Sequence, residues 1–216
     1  MARPTEGYRN KIGVRIPGTT TIIGRFKESG GLLHWAFKQG QSGAATLYEK
    51  RDEAAVSGNI AHDMIESFIL GKPQPVVKAE PDILARAANA FAQFGEWYEQ
   101  TKIEIVATER SYVSEKYQFG GTVDAIGRDV KGRCVLVDWK TSNSVYSDYL
   151  IQLAAYQLLL EECSDYRPEG FHLLRVAKES ADFAHHFYGE VDDAKRAFIL
   201  MRELYDIDKK LSARVK

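Results

Sequence analysis

The tightest constraint in the chain lies between Gly120 and Thr141. Two apolar segments, Gly120 to Arg128 and Arg133 to Thr141, flank Asp129-Val130-Lys131-Gly132. Asp129 suits the first position of a type I turn, and Gly132 the left-handed position that closes a three-residue hairpin loop. That register sets Asp129 against Arg133 and, further out, Asp124 directly against Asp138. Side chains alternate faces along a strand. The pairing therefore predicts Asp124, Asp138 and Lys140 on one face, and Val123, Ala125, Val135, Val137 and Trp139 on an apolar one. Opposed Cβ atoms lie about 5 Å apart, so the two carboxylates repel unless a cation lies between them.

Ile126 and Leu136 share the charged face, so it is partly covered, and buried charge is costly unless paired or coordinated. Two arrangements answer that cost. Lys140 bridging both aspartates leaves one net negative charge; a divalent metal neutralises the pair. Oxygen ligands favour hard cations, Mg²⁺ or Mn²⁺, over zinc. The chemistry then available is metal-assisted hydrolysis of a phosphodiester, with an ammonium to hold the nucleophile and stabilise transition-state charge. The two cysteines, Cys134 and Cys163, cannot supply a four-thiolate site, so no iron–sulfur cluster is expected. They read as free thiols of a reducing compartment, with a disulfide between them as the lesser alternative. No apolar stretch follows the first residues as a secretory signal requires, and no run approaches the roughly 20 residues of a membrane helix. A cytoplasmic location is expected.

Around the hairpin, the pattern predicts strands at Tyr8–Val14 and Thr19–Ile23 about the Pro17-Gly18 turn, and helices over about 42–50 and 53–70. A helix starts at Pro81-Asp82, three strands fill 103–141, and a well-buried helix spans about 147–162. Strands Phe171–Val176 and Phe183–Tyr188 lead to an amphipathic helix from Asp192. This order describes an α/β chain, a mixed sheet flanked by helices. With 216 residues, 44% hydrophobic and 27% charged, it reads as one globular domain: a basic segment 1–45, a core 53–190 and a C-terminal helix 191–216. In residues 1–40, Arg3, Arg9, Lys11, Arg15, Arg25, Lys27 and Lys38 face only Glu6 and Glu28, although the whole chain carries −1. A basic arm on an acidic body suits a polyanion, and a solvated surface is the ordinary alternative.

Four pieces in order carry a resemblance: Gly58-Asn59-Ile60-Ala61-His62, Gly121-Thr122-Val123-Asp124, Asp138-Trp139-Lys140 and Gln152-Leu153-Ala154-Ala155-Tyr156. Together they resemble the PD-(D/E)XK nuclease superfamily, in detail its RecB-like exonuclease branch. Pro17-Gly18-Thr19-Thr20-Thr21-Ile22 is similar to a Pro-Ser-Val-Thr segment of phage exonucleases and the mitochondrial genome maintenance exonuclease, with Gly18 where serine is usual. The resemblance implies a restriction-endonuclease-like fold. It implies that Asp124 and Asp138 bind Mg²⁺ or Mn²⁺, with the Trp139 carbonyl completing the shell and His62 joining directly or through water. Lys140 would position the attacking water, and Gln152 and Tyr156 would contact that lysine or the DNA backbone. The four cysteines of the CRISPR-adaptation branch and the phosphate-binding loop of the helicase-linked branch are both missing, which leaves a stand-alone nuclease.

Each residue also has a plainer reading. His62 stands four before Glu66, the spacing of a helix-surface ion pair. Gln152 and Tyr156 suit a buried pair with satisfied polar groups. Glu109 is a strand-end charge or a third acidic support for the site. Thr19, Thr20 and Thr21 suit a strand, or, with Arg25 and Lys27, contacts to phosphates. Trp35 and Phe37 read as core rather than base-stacking groups, and the adjacent His185 and His186 point to opposite faces. The expected function is a divalent-metal-dependent DNA exonuclease acting on ends or single strands in recombination, repair or phage DNA processing, beside a recombination or single-strand-binding partner that the sequence does not identify. A structure-specific endonuclease and a catalytically silent DNA-binding module are the rivals.

Overall fold

The computed structural model describes residues 4–27, 37–38, 40–41, 47–142, 144–177, 180 and 182–215. A ribbon of β1 (Tyr8–Arg9) and β2 (Arg15–Ile16) leads into helix α1 (Thr19–Phe26). Helices α2 (Leu47–Ile69) and α3 (Pro81–Thr101) come before β3 (Glu104–Ser114), β4 (Phe119–Arg128) and β5 (Cys134–Thr141). Helix α4 (Ser147–Cys163) crosses over to β6 (Gly170–Val176), followed by β7 (Phe183–Tyr188) and α5 (Asp192–Arg214). The main sheet runs β3-β4-β5-β6-β7. Only β5 and β6 are parallel, as a helical crossover requires.

Each face of the sheet buries its own core. Ile22, Ile23, Phe119, Ile126, Leu136, Leu153, Leu159, Phe171 and Phe198 fill the side of α1, α4 and α5. Ile60, Ile65, Phe94, Trp97, Val135, Val137, Trp139 and Leu174 fill the side of α2 and α3. Covering both faces explains why β4 is buried along nearly its whole length and α4 is apolar on several sides.

The N-terminal reading is corrected. Strand pairing is confined to Tyr8–Arg9 and Arg15–Ile16, because Gly13, at φ 81°, turns the chain between them. Thr19–Ile23 is helical rather than extended. Threonine disfavours helix only weakly, and here burial of Ile22 and Ile23 decides. The helix expected at 53–70 starts earlier, at Leu47, and runs unbroken, since neither Gly nor Pro interrupts 50–53; residues 42–46 lie outside the described residues. So does Trp35, whereas Phe37, expected in the core, is 63% exposed.

Candidate active site

The hairpin has the expected register. Arg128 pairs Cys134 and Ala125 pairs Val137, while the Gly132 amide donates to the Asp129 carbonyl at 2.8 Å with Gly132 at φ 77°. Beyond Ala125 the alternation slips. Gly121 and Val123 face α4, whereas Ala125 and Gly127 face the opposite core. Val123 therefore departs from the apolar face predicted for it. The slip falls at Asp124, whose Oδ2 accepts the Trp139 amide at 3.3 Å. Across from it, between the pairs Thr108–Ala125 and Arg110–Val123, stands Glu109 at φ 47°. A left-handed glutamate is a strained conformation of the kind that gathers at functional sites, and an irregularity of this kind re-aims a side chain.

The re-aimed carboxylates meet His62. Helix α2 approaches the end of β5 so closely that a Cβ on Gly58 would lie 2.8 Å from Thr141 Oγ1 and force that side chain to shift; one turn later His62 reaches the site. His62, Glu109 and Asp124 each offer a ligand atom within 4.8 Å of the others. His62 Nδ1 lies 3.6 Å from Glu109 Oε1 and accepts the Trp139 indole N–H at 3.0 Å. Burial alone would lower the imidazole's pKa, but the Asp124 and Glu109 carboxylates outweigh it and raise it above its usual value. The indole bond works against protonation, because it needs a lone pair on Nδ1. While it holds, the neutral ring carries its proton on Nε2 and donates rather than ligates.

Asp138 and Lys140 form a pair of their own on the α4 side. Lys140 Nζ lies 2.7 Å from Asp138 Oδ1 and 2.6 Å from Oδ2. The contact with Oδ2 does not have hydrogen-bond geometry, which leaves a buried oxygen without a hydrogen-bond partner. Burial pushes the Asp138 carboxyl up to about 7, with Asp124 adding to the rise and Lys140 opposing it. Burial would lower Lys140, but Asp138 and Asp124 hold it charged, above its usual range. Gln152 Nε2 donates to the Tyr156 hydroxyl at 2.5 Å; among the described residues neither bonds to Lys140. Burial, then the charges of Asp124 and Asp138, raise Tyr156 well above an ordinary tyrosine.

Glu109, named from sequence only as a support, thus stands with Asp124 and His62, while Asp138 is engaged by Lys140. No sequence pattern announces a left-handed backbone at a glutamate. One clue was available, the placement of an acidic residue on the strand paired with Asp124's.

Tyr156, Gly121 and Thr122 also border a cleft of about 500 Å³ that runs under α1. Arg15, Thr20, Thr21 and Lys209 line it, and no described acidic side chain does. Thr19 is spent on structure, its hydroxyl donating to the Gly120 carbonyl at 3.1 Å. Arg25 and Lys27 are bound within the chain, to Asp208 at 2.6 Å and Asp148 at 2.7 Å. Arg15 and Lys209, 194 positions apart in sequence, were not legible as a pair.

The sequence pattern of the PD-(D/E)XK nuclease superfamily matches residues 15–212. No curated protein sequence matches the chain. Among solved structures, the chain is similar to an alkaline exonuclease (LHK-Exo) from Laribacter hongkongensis, with 12% identity, 73% of this chain and 86% of that one covered, and a TM-score of 0.39. It is also similar to a protein from Eubacterium rectale given the provisional description of exonuclease, at 13% identity, 68% and 64% coverage and a TM-score of 0.44. A third likeness is to SSO0001, at 19% identity and a TM-score of 0.38, where 58% of this chain matches 59% of that chain's length. Family membership rests on the match that runs through the whole sheet and its helices: the chain belongs to the PD-(D/E)XK nuclease superfamily.

Proposed function

We propose that the chain is a divalent-metal-dependent deoxyribonuclease that degrades DNA from an end. The observation that carries this reading is the convergence of His62, Glu109 and Asp124 within 4.8 Å, next to a buried Lys140–Asp138 pair. Two carboxylates, with an imidazole reaching through water, suit a hard divalent cation, and Asp138 Oδ2, which touches Lys140 at 2.6 Å without a hydrogen bond, is a further oxygen donor. Asp124 and Glu109 would hold Mg²⁺ or Mn²⁺, with Asp138 Oδ2 and the Trp139 carbonyl as additional donors and His62 acting through water. When bound, such a cation activates a water and screens the scissile phosphate.

The chain's own groups do the rest. Lys140, kept charged by its carboxylate neighbours, donates hydrogen bonds to the nucleophile and to developing charge on the phosphate. The Gln152–Tyr156 pair fixes the wall beside the aspartates. Arg15, Lys209 and the hydroxyls of Thr20 and Thr21 hold the strand by its phosphates, without reading sequence. Digestion from an end follows the resemblance to RecB-like exonucleases, and the substrate class is DNA ends or single strands such as recombination, repair or phage DNA processing supplies.

A time course on end-labelled linear DNA and closed circular DNA, with Mg²⁺, Mn²⁺ or chelator and beside Lys140→Ala, tests the reading. It predicts label lost from linear DNA only, and none lost with chelator or with the variant. Cleavage of the circle would make the enzyme an endonuclease, and intact label with metal would remove the activity altogether.

A further inference from the structure

The C-terminal helix carries an apolar stripe on the side away from the body. Phe198 and Arg202 are buried on its inner face, and Tyr205 packs there too. On the opposite face Leu200, Leu204, Ile207 and Leu211 are 56%, 47%, 51% and 54% exposed. Their spacing of four, three and four is that of a coiled-coil seam, whose knobs need a facing helix. A helix that packs by one face normally presents polar groups on the other, so among the described residues this stripe lacks a cover.

We propose that the cover is the same stripe of a second copy, laid antiparallel about a twofold axis. The antiparallel register is self-complementary: Leu200 meets Leu211 of the second copy and Leu204 meets its Ile207, giving four apolar layers. It also sets Glu203 beside Lys210 of the second copy, twice. A parallel arrangement would set Glu203 beside Asp208 instead, with like charges together. Two neighbouring carboxylates are already used within the chain: Arg202 holds Asp206 at 2.7 Å and Arg25 holds Asp208 at 2.6 Å. Among the described residues Glu203 and Lys210 have no ion-pair partner. A contact of this kind is isologous and closes at two copies. The seam from Leu200 to Leu211 is only about 17 Å long at 1.5 Å per residue, so the interface is at the small end and the dimer forms in the micromolar range.

Sedimentation equilibrium of the chain from about 1 to about 200 μM reads this directly. The mass is expected to rise from 24.3 kDa towards twice that value. Leu204→Glu, a change at a site exposed in the single copy, is expected to keep the helical circular dichroism and abolish the rise. Glu203→Lys and Lys210→Glu are each expected to weaken association at least about tenfold at low salt, and the double exchange to restore it. A chain that stays at 24.3 kDa, a dimer indifferent to Leu204→Glu, or single and double exchanges that behave alike would each overturn the proposal. The outcome is independent of nuclease activity.

Discussion

At Asp138 burial and charge oppose one another. The carboxylate is fully buried, and Lys140 is the cation that makes this tolerable. Removing one member of a buried pair strands the other, at a cost of about 3 kcal/mol. Lys140→Ala is therefore expected to lose stability as well as hydrolysis. Asp138→Asn with Lys140→Met, which removes both charges, is expected to return to within about 1 kcal/mol of the parent in urea unfolding while remaining inactive. Recovery of stability without activity would separate the pair's chemical role from its structural one. If the double variant were as unstable as Lys140→Ala, the stranded-charge account would be wrong.

Three strands are held by contacts that leave little latitude. Strand β4 lies against α1 and α4 at Gly121, where a Cβ would stand 2.7 Å from Thr19 Oγ1, 2.8 Å from Leu159 and 3.0 Å from Tyr156. Gly121→Ala is expected to cost about 2 kcal/mol of overpacking, measured by urea denaturation; an unchanged midpoint would show that α4 can shift. Strands β6 and β7 are clasped by His172 and His185, whose rings stack at 5.0 Å with Nδ1 of one 2.8 Å from Nε2 of the other. Burial, with His185 adding, lowers His172 to about 4. The unfolded chain then takes up a proton near pH 6.5 that the folded one refuses. His172's contribution is thus complete above that pH and is lost as pH falls from about 6.5 to about 4, by about 2 kcal/mol after allowance for solvent screening. His172→Leu is expected to flatten the stability profile in that window; an identical slope in both proteins would contradict it.

At the scale of the whole molecule, the mixed sheet and the succession of strands and helices along the chain were legible because they follow from period and turn chemistry. Asp129 and Gly132 set the hairpin, and Pro81 and Asp192 open their helices. Thr19–Ile23 was misread because its β-branched residues favour a strand locally, and only packing against elements more than 100 residues away makes it helical. The candidate site was legible by residue type, in Asp124, Asp138, Lys140 and His62, and less so by grouping. Strict alternation puts Asp124 with Asp138, whereas the slip opposite Glu109 turns Asp124 towards His62, and a slip is a property of two strands together. The clasp of His172 by His185 was missed for the same reason, since it joins neighbouring strands.

The account centres on His62, Glu109 and Asp124 as one cation-binding group. Calorimetric titration of Mn²⁺ into the chain, beside Glu109→Ala, tests that most directly. One-site binding in the parent, weakened at least about tenfold by loss of the Glu109 carboxylate, is the expected result. No binding by the parent, or equal affinity in both proteins, would contradict it.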